Sequence, residues 1–333
     1  MEFFPRAQAI RLPPNSGVIL LVVIDTEEEF DWSKPLDRRS TSVSAMDHIE
    51  RVQSIFDEFK VRPVYVVDYP VATQEQGYRP LRRFLESGRA EIGAHLQPWV
   101  SPPYVEAVNA YNSYPGNLPA ELEARKLQAL TEAITEHFGH RPTIYKAGRY
   151  GFGPHTAGLL EAMGYEIDLS PTPPYDMRAD GGPNYALTPP TPFWFGPQHR
   201  LLCCPATGGY LGYLRGIGTR LGAASQGAIC RRLRLPGILW RAGALQRLRL
   251  SPEGQSIEQL LGLAAALRGD GVGVFSLTLH SPSVVPGCTP YVRDDAELAV
   301  FLDRIRRFLE HFLGPWQGRT MTPGELRTYL QRP

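Results

Sequence analysis

Short apolar runs of strand length recur along this chain, and each of them leads into a polar or ionisable residue. The first run, GVILLVVI at 17–24, is rich in β-branched residues and stops at Asp25. Later runs of the same kind lead into Asp68, His95, Asp168 and His280. Apolar runs of this length, bounded by polar residues, predict buried strands whose ends carry those side chains.

The segments between these runs have the periodicity of helices. Apolar residues in 46–60 fall on one helical face, and 119–138 predicts a longer amphipathic helix that ends at Gly139. Alternating strands and helices favour a parallel β/α barrel, in which catalytic groups gather at the C-terminal ends of the strands. The alternative is any other α/β sheet, where polar residues mark the points at which strands leave the core and need no chemical role.

Composition excludes several classes of protein. With 333 residues, 43% of them hydrophobic, the chain is long enough to bury a large core. A net charge of +1 gives the whole molecule no electrostatic reason to bind nucleic acid. The four cysteines form no CxxC pair, which argues against a disulfide scaffold or a structural zinc cluster. The sequence shows neither a signal peptide nor an apolar run that could span a bilayer, so a cytoplasmic location is predicted.

The chain is predicted to be one domain, 1–333, with a basic, Pro- and Arg-rich insertion around 171–252. Between Gly181 and Pro252 there is no Asp or Glu, yet there are nine arginines, at 200, 215, 220, 231, 232, 234, 241, 247 and 249. A solvated basic face, or an interface with acidic residues elsewhere, explains this charge without a ligand. The functional alternative is an anionic ligand of segment 200–249: a sugar nucleotide, a lipid-linked glycan, or an anionic membrane surface.

Six segments, in this order, carry a family resemblance: VVIDTEEEFDW, EIGAHLQPWVSPP, YNSYPGNLP, YKAGRYGFG, IDLSPTPP and LTLHSPSVVPGCTPYV. Together they resemble the NodB-like polysaccharide deacetylases, carbohydrate esterase family 4. The WalW-type branch, found with bacterial surface-glycan genes, is the more similar one. The resemblance runs from about Val18 to Leu326. It implies a distorted (β/α) barrel, one divalent metal ion at the rim of the strands, and hydrolysis of an N-acetyl group on an amino sugar.

The resemblance assigns a general base and a metal site. Asp25 matches the base, and Glu27 takes the place of the metal-binding acid because Thr26 cannot serve. His95 matches a metal-binding histidine, but Gln97 stands where the family has a second histidine. Amide oxygen is a poor substitute for imidazole on zinc, the expected ion. Three outcomes follow: a site of Glu27, His95 and Gln97, a site completed by another acid such as Asp68, or a barrel without its metal.

The resemblance also assigns the groups that act on the leaving amine and on the base. His280 matches the histidine that donates a proton to the amine, and Asp168 lies where the family has an acid that holds this histidine. Arg149 or Lys146 takes the place of the arginine that orients the base, and Arg149 is favoured. A structural alternative for Asp168 and Arg149 is a buried ion pair between neighbouring strands.

Three hypotheses for function follow. The leading one is a metal-dependent hydrolase that removes acetyl from an N-acetylated sugar, as a lipid-linked or nucleotide-linked precursor of a surface glycan. The second is a hydrolase of other C–N bonds, such as cyclic amides, on the same barrel. The third is a glycan-binding protein that has lost its metal through Gln97. Trp32 and Trp99 are candidates to stack on a sugar ring, or to pack at the rim.

Overall fold

The structure, a computed structural model, describes residues 16–218 and 243–331, together with residues 4, 7–10, 12, 13 and 237. Twelve strands lie in the described part of the chain: β1 Gln8–Ala9, β2 Ile19–Thr26, β3 Val64–Val67, β4 Glu91–Leu96, β5 Ile144–Ala147, β6 Ile167–Asp168, β7 Phe193–Phe195, β8 Leu201–Cys203, β9 Gly208–Leu211, β10 Gln246–Arg249, β11 Val274–His280 and β12 Arg319–Thr320. The α-helices described are α1 Glu50–Glu58, α2 Tyr69–Thr73, α3 Glu75–Glu86, α4 Ala120–Phe138, α5 Thr156–Ala162, α6 Ile257–Gly269, α7 Asp295–Leu313 and α8 Pro323–Leu330.

Seven strands form a continuous parallel sheet in the order β8-β6-β5-β4-β3-β2-β11. Strand β7 pairs with β8 in antiparallel orientation and β1 pairs with β7, while β12 lies parallel to the start of β2. The helices that connect the parallel strands pack on the outside of the sheet, where they bury the larger of two apolar clusters. A sheet with this connectivity is the α/β arrangement that the alternating elements predict.

The sheet curls towards a barrel that irregular segments complete. Strands β8 and β11 do not pair with each other as strands in the described residues. Instead, the Ser276 backbone N–H donates to Thr207 Oγ1 at 2.8 Å, and its hydroxyl donates to the carbonyl oxygen of Pro205 at 3.1 Å. The Thr278 N–H donates to the carbonyl oxygen of Leu250 at 3.0 Å. The predicted distorted (β/α) barrel is therefore confirmed.

Side chains alternate between the barrel interior and the helical layer along the strands of the parallel sheet. In β2, Ile19, Leu21 and Val23 belong to the interior cluster, whereas Leu20, Val22 and Ile24 pack under the helices. Successive side chains of a strand point to opposite faces, so Asp25 continues the interior series at the C-terminal end of β2. The same alternation in β11 places Val274 and His280 on the interior side, and the register pairs His280 with Asp25.

The basic insertion is described only in part. Strands β9 and β10 form an antiparallel pair that flanks the undescribed residues 219–236 and 238–242. Five of the nine arginines, at 220, 231, 232, 234 and 241, lie outside the described residues, as does Cys230. Arg215 forms an ion pair of 2.6 Å with Asp270, so part of the basic charge is neutralised by the rest of the chain. Among the described residues, no helix combines the length and the apolar character that a membrane span needs.

Candidate active site

A cavity of about 610 Å³ opens at the C-terminal ends of the parallel strands. Its size falls in the range of pockets that bind small molecules. Ionisable and amide side chains from β2, β4, β5 and β11 and from the loops after β2 and β4 line its floor: Asp25, Glu27, His95, Gln97, Lys146 and His280. Aromatic side chains surround them, among them Trp32, Tyr114, Tyr150 and Tyr291. The cavity is the place where a barrel of this kind carries its chemistry.

Asp25 is held by a buried lysine. Lys146 Nζ donates to both carboxylate oxygens of Asp25, at 2.5 and 2.7 Å, and both side chains are almost fully buried. Burial opposes ionisation of Asp25, but the charge of Lys146, followed by those of His95 and His280, outweighs burial and lowers the pKa of the carboxyl group. Burial also opposes the charge on Lys146, yet Asp25 raises the pKa of its ammonium. The pair is therefore ionised.

His280 faces Asp25 from the neighbouring strand. Its Nε2 lies 3.8 Å from Asp25 Oδ2, and its Nδ1–H donates to Glu253 Oε2 at 2.8 Å. The other carboxylate oxygen of Glu253 accepts from the His280 backbone N–H at 3.0 Å and from the Ser283 hydroxyl at 2.5 Å. Burial disfavours the charged imidazole, but Glu253, Glu27 and Asp25 together raise the pKa of His280 to about 10. His280 is thus an imidazolium at neutral pH, and its Nε2 faces the Asp25 carboxylate.

Glu27, His95 and Gln97 lie together beside Asp25. Gln97 Nε2 donates to Glu27 Oε2 at 2.6 Å and lies 3.4 Å from His95 Nε2, which is itself 3.5 Å from Glu27 Oε2. His95 Nδ1 donates to the carbonyl oxygen of Lys146 at 3.2 Å, which directs Nε2 towards Gln97 and Glu27. The side-chain oxygen of Gln97 is buried without a hydrogen-bond partner.

This arrangement does not fit a resident zinc ion. In the described residues, no three His, Cys, Asp or Glu side chains converge to hold one ion. A hydrogen-bond donor, the Gln97 amide, sits against the two atoms that would bind a cation, Glu27 Oε2 and His95 Nε2. Asp68, the acid that was an alternative ligand, is turned away from the cavity: its Oδ1 caps α2 through Val71 N and its Oδ2 accepts from Glu28 N, both at 2.8 Å.

Arg149 lies at the cavity wall but does not contact Asp25. Its guanidinium stacks on the Tyr114 ring, with Cζ 4.4 Å from the ring centroid, and donates to the Ser113 hydroxyl. Lys146 holds Asp25 instead, which differs from the preference for Arg149 in the sequence analysis. The physical reason is position: Lys146 is an interior residue of β5 (Ile144–Ala147), whereas Arg149 follows the end of that strand.

Asp168 lies on the opposite face of the sheet from His280. Its neighbours Ile167 and Leu169 belong to the interior cluster, so alternation directs Asp168 into the helical layer. There Asp168 Oδ1 accepts hydrogen bonds from the backbone N–H and the hydroxyl of Ser170, and burial raises the pKa of Asp168 to about 7. The acid on His280 is Glu253, and Asp168 and Arg149 form no ion pair with each other in the described residues.

The turn after β5 is strained and forms part of the cavity wall. Arg149 and Tyr150 adopt φ angles of 52° and 60°, a left-handed conformation that costs a non-glycine residue about 1–3 kcal/mol. The turn places the Tyr150 ring beside two cations, with Lys146 Nζ 5.1 Å and Arg249 Cζ 4.7 Å from its centroid. Gly148 lies against Gln97, and a Cβ at this position would clash with the Gln97 side-chain oxygen.

Trp32 and Trp99 have different surroundings. Trp32 is 38% exposed at the cavity mouth, and its ring meets the His280 ring edge-on at a centroid distance of 5.3 Å. Trp99 is buried, and its Nε1–H donates to Glu28 Oε1 at 2.7 Å. Burial and the adjacent Asp68 carboxyl raise the pKa of Glu28 well above its usual value. Of the two, only Trp32 is exposed to a ligand at the mouth, and Phe30 stacks on its ring at a centroid distance of 4.8 Å.

Two residues of the site were not identified from the sequence. Glu253 lies in the segment SPEGQS, which has no periodicity and no motif. Arg249 was recognised only as one charge of the basic segment. Lys146, by contrast, carried a sequence signal: it lies two positions after the apolar Ile144, which is the interval between residues on one face of a strand.

Comparisons with known proteins identify the fold. No model of a protein family matches the sequence. No curated protein matches it either. Among solved structures, a candidate polysaccharide deacetylase from Mycobacterium smegmatis matches with a TM-score of 0.55 at 14% identity, over 98% of this chain and 95% of that one. PuuE allantoinase matches with a TM-score of 0.54 at 16% identity, over 95% and 91% of the two chains.

A third match has a different activity in its name. The 4-alpha-glucanotransferase from Thermococcus litoralis aligns with a TM-score of 0.52 at 12% identity, over 95% of this chain and 40% of that one. The three names describe different reactions on one architecture. The comparisons therefore establish the fold that polysaccharide deacetylases share, and the choice of reaction depends on the residues of the site.

Proposed function

We propose that this protein is an amide hydrolase that removes the acetyl group from the nitrogen of an amino sugar. The observation that carries the proposal is the pair of Asp25 and His280 at the cavity floor, with 3.8 Å between Oδ2 and Nε2. Amide hydrolysis needs a base to activate water and an acid to protonate the departing amine. An ionised carboxylate beside a charged imidazole supplies both groups.

The proposed reaction starts with Asp25. Its carboxylate takes a proton from a water molecule as the water oxygen bonds to the carbonyl carbon of the acetamide. Negative charge then builds on the former carbonyl oxygen. Lys146 has three ammonium hydrogens and donates two to Asp25, and in this scheme the third, which has no oxygen or nitrogen acceptor among the described residues, stabilises the oxyanion. In this scheme the fixed positive charge of Lys146 stabilises the oxyanion, and no metal ion is required.

The second half of the reaction uses His280. As the carbon–nitrogen bond breaks, His280 Nε2 gives its proton to the nitrogen, which leaves as a free amine while the acetyl group leaves as acetic acid. Asp25 then holds one extra proton and His280 lacks one. Transfer of that proton across the 3.8 Å between Oδ2 and Nε2, with a small movement or through one water, restores the starting state. Glu253 keeps Nε2 aimed at the reaction throughout.

Carbohydrate is the proposed substrate class. The exposed Trp32 ring at the cavity mouth offers an apolar face of the kind that stacks on a sugar. The resemblance to the WalW-type branch, the cytoplasmic location, and a lipid-linked or nucleotide-linked carrier are predictions from the sequence that belong to this proposal. The arginines at 220, 231, 232, 234 and 241, on which membrane contact depends, lie outside the described residues.

Acetate release tests the proposal. Purified protein, freed of metal with a chelator, is incubated with N-acetylhexosamines, their 1-phosphates and nucleotide conjugates, and with cyclic amides as a second panel. We expect acetate from at least one sugar and loss of that activity in Asp25→Asn. Hydrolysis of cyclic amides alone would favour the second hypothesis, and sugar binding without any hydrolysis would favour a binding protein.

The pH profile provides a separate prediction. Because His280 must be protonated and its pKa is raised to about 10, activity is expected to stay high through neutral pH and to fall near pH 10. Replacing Glu253 with Gln removes the largest attraction on the imidazolium, so the alkaline fall moves to lower pH. The measurement is kcat/KM against pH. Glu75→Gln, an exposed acid on α3 far from the cavity, is the control and leaves the profile in place.

A further inference from the structure

Arg249 is a cation of the cavity wall that the proposed hydrolysis does not use. It ends β10, and its guanidinium lies between two tyrosine rings, with Cζ 4.0 Å from the Tyr175 centroid and 4.7 Å from the Tyr150 centroid. Its Nε donates to the Thr172 hydroxyl at 3.2 Å. These contacts fix the plane of the guanidinium, so its terminal nitrogens have a defined direction.

No carboxylate within ion-pairing distance neutralises Arg249 in the described residues. The carboxylates of the cavity floor already have partners: Asp25 lies against Lys146 and His280, and Glu27 lies 3.5 Å from His95. His280 in turn is paired with Glu253. Aromatic faces offset part of the cost of removing a guanidinium from water, but no oxygen of the described residues accepts from the terminal N–H groups of Arg249. A planar donor pair of this kind matches the two oxygens of a carboxylate or a phosphate.

The strained turn at Arg149 and Tyr150 links this cation to the reacting groups. The Tyr150 ring lies close to both Arg249 and Lys146, the partner of the base, with centroid distances of 4.7 and 5.1 Å. An anion bound by Arg249 therefore lies close to the reaction centre, at a distance comparable with the size of one aromatic ring. That separation suits two substituents of one sugar unit better than two distant units of a polymer.

We propose that Arg249 selects substrates in which the N-acetylated sugar carries an anionic group, a carboxylate or a phosphate. Its planar guanidinium would bind two oxygens of this group through two N–H donors. The inference rests on the proposed function for the reaction and names the class of substrate that the same cavity prefers. Arg249 is a specificity-determining residue in this scheme.

A ratio of rates tests the selection. For the native protein, kcat/KM is expected to be roughly 10- to 100-fold higher for N-acetylmuramic acid or N-acetylglucosamine 1-phosphate than for N-acetylglucosamine, the usual range for a charge-assisted contact. In Arg249→Gln this ratio falls towards one. Arg247→Gln is the matched control, because Arg247 lies on the same strand and against the same Tyr175 ring, at 4.4 Å, but outside the cavity lining. The native ratio persists in that variant.

Binding of the deacetylated products separates this inference from the proposed reaction. Glucosamine, glucosamine 1-phosphate and muramic acid are titrated into the native protein and both variants, with calorimetry as the readout. Preference for the phosphate or the carboxylate in the native protein, lost in Arg249→Gln, supports the inference even if no substrate is hydrolysed, and shows which anion is preferred. Equal affinities for neutral and anionic sugars overturn it, whatever the rate of acetate release.

Discussion

The Gln97→His variant is expected to retain about one zinc ion per chain, whereas the native protein retains almost none. In the native arrangement the Gln97 amide donates to Glu27 Oε2 at 2.6 Å, so a donor faces the two atoms that would hold a cation. Histidine at this position replaces the donor with an imidazole nitrogen beside Glu27 Oε2 and His95 Nε2, which are 3.5 Å apart. Three N and O ligands plus water form the usual catalytic zinc site.

Elemental analysis after purification in the presence of zinc measures the retained metal, and thermal unfolding with and without zinc gives an independent readout. Zinc at about 100 times its Kd stabilises the variant by roughly 2.7 kcal/mol and leaves the native protein unchanged. Gln97→Met is the control, since it removes the same hydrogen bond without adding a ligand. One equivalent of zinc in the native protein would show that the Gln97 oxygen, not its nitrogen, faces the site.

Much of the barrel was predictable from strand composition and periodicity. The apolar run at 17–24 corresponds to β2 at Ile19–Thr26, and the periodic segment 119–138 corresponds to α4 at Ala120–Phe138. The segment 46–60 is instead divided into a 3-10 helix at Ser44–His48 and α1 at Glu50–Glu58. The closure of the barrel through Thr207 and Leu250 had no sequence signal, because these bonds come from irregular segments far apart in the chain.

The candidate site was predictable where a strand carries the residue and not where a loop does. Asp25, His95 and His280 follow interior residues of their strands, and the structure brings them to one cavity. Asp168 also belongs to a strand, but alternation with Ile167 and Leu169 directs it to the other face. Glu253 reaches His280 from a segment without periodicity. Its role depends on the three-dimensional path of the chain, which residue spacing does not specify.

Breaking the pair of Asp25 and Lys146 is expected to lower both stability and activity. Lys146→Met leaves Asp25 buried with His280 as its remaining cation, at 3.8 Å, whereas Asp25→Asn leaves Lys146 with no carboxylate within 4.0 Å in the described residues. Loss of one partner from a buried ion pair lowers the free energy of unfolding by about 3–5 kcal/mol. Asp25→Asn therefore falls at the upper end of this range. Its kcat also drops about 10²- to 10⁴-fold because the general base is gone.

Denaturant unfolding of the two single variants and the double variant measures the coupling between the partners. The double variant removes both charges, so its loss of stability is expected to be smaller than the sum of the single losses by roughly 0.5–3 kcal/mol. Arg306→Met, which breaks an exposed ion pair with Glu58 at 3.2 Å, is the control, with an expected loss of about 0–1 kcal/mol.

The pH dependence of the same variants separates an ion pair from simple packing. In the native protein the pKa of Asp25 is below its ordinary value, so the stability from this pair is present above about pH 4 and is lost as the pH falls through the lowered pKa. In Lys146→Met the largest attraction on the carboxylate is absent, the pKa of Asp25 rises, and the acid limb of kcat/KM moves to higher pH. If the acid limb of kcat/KM stays in place in Lys146→Met and the stability losses of the single variants add up in the double variant, Lys146 only fills space beside Asp25. It then does not stabilise the charge of the carboxylate.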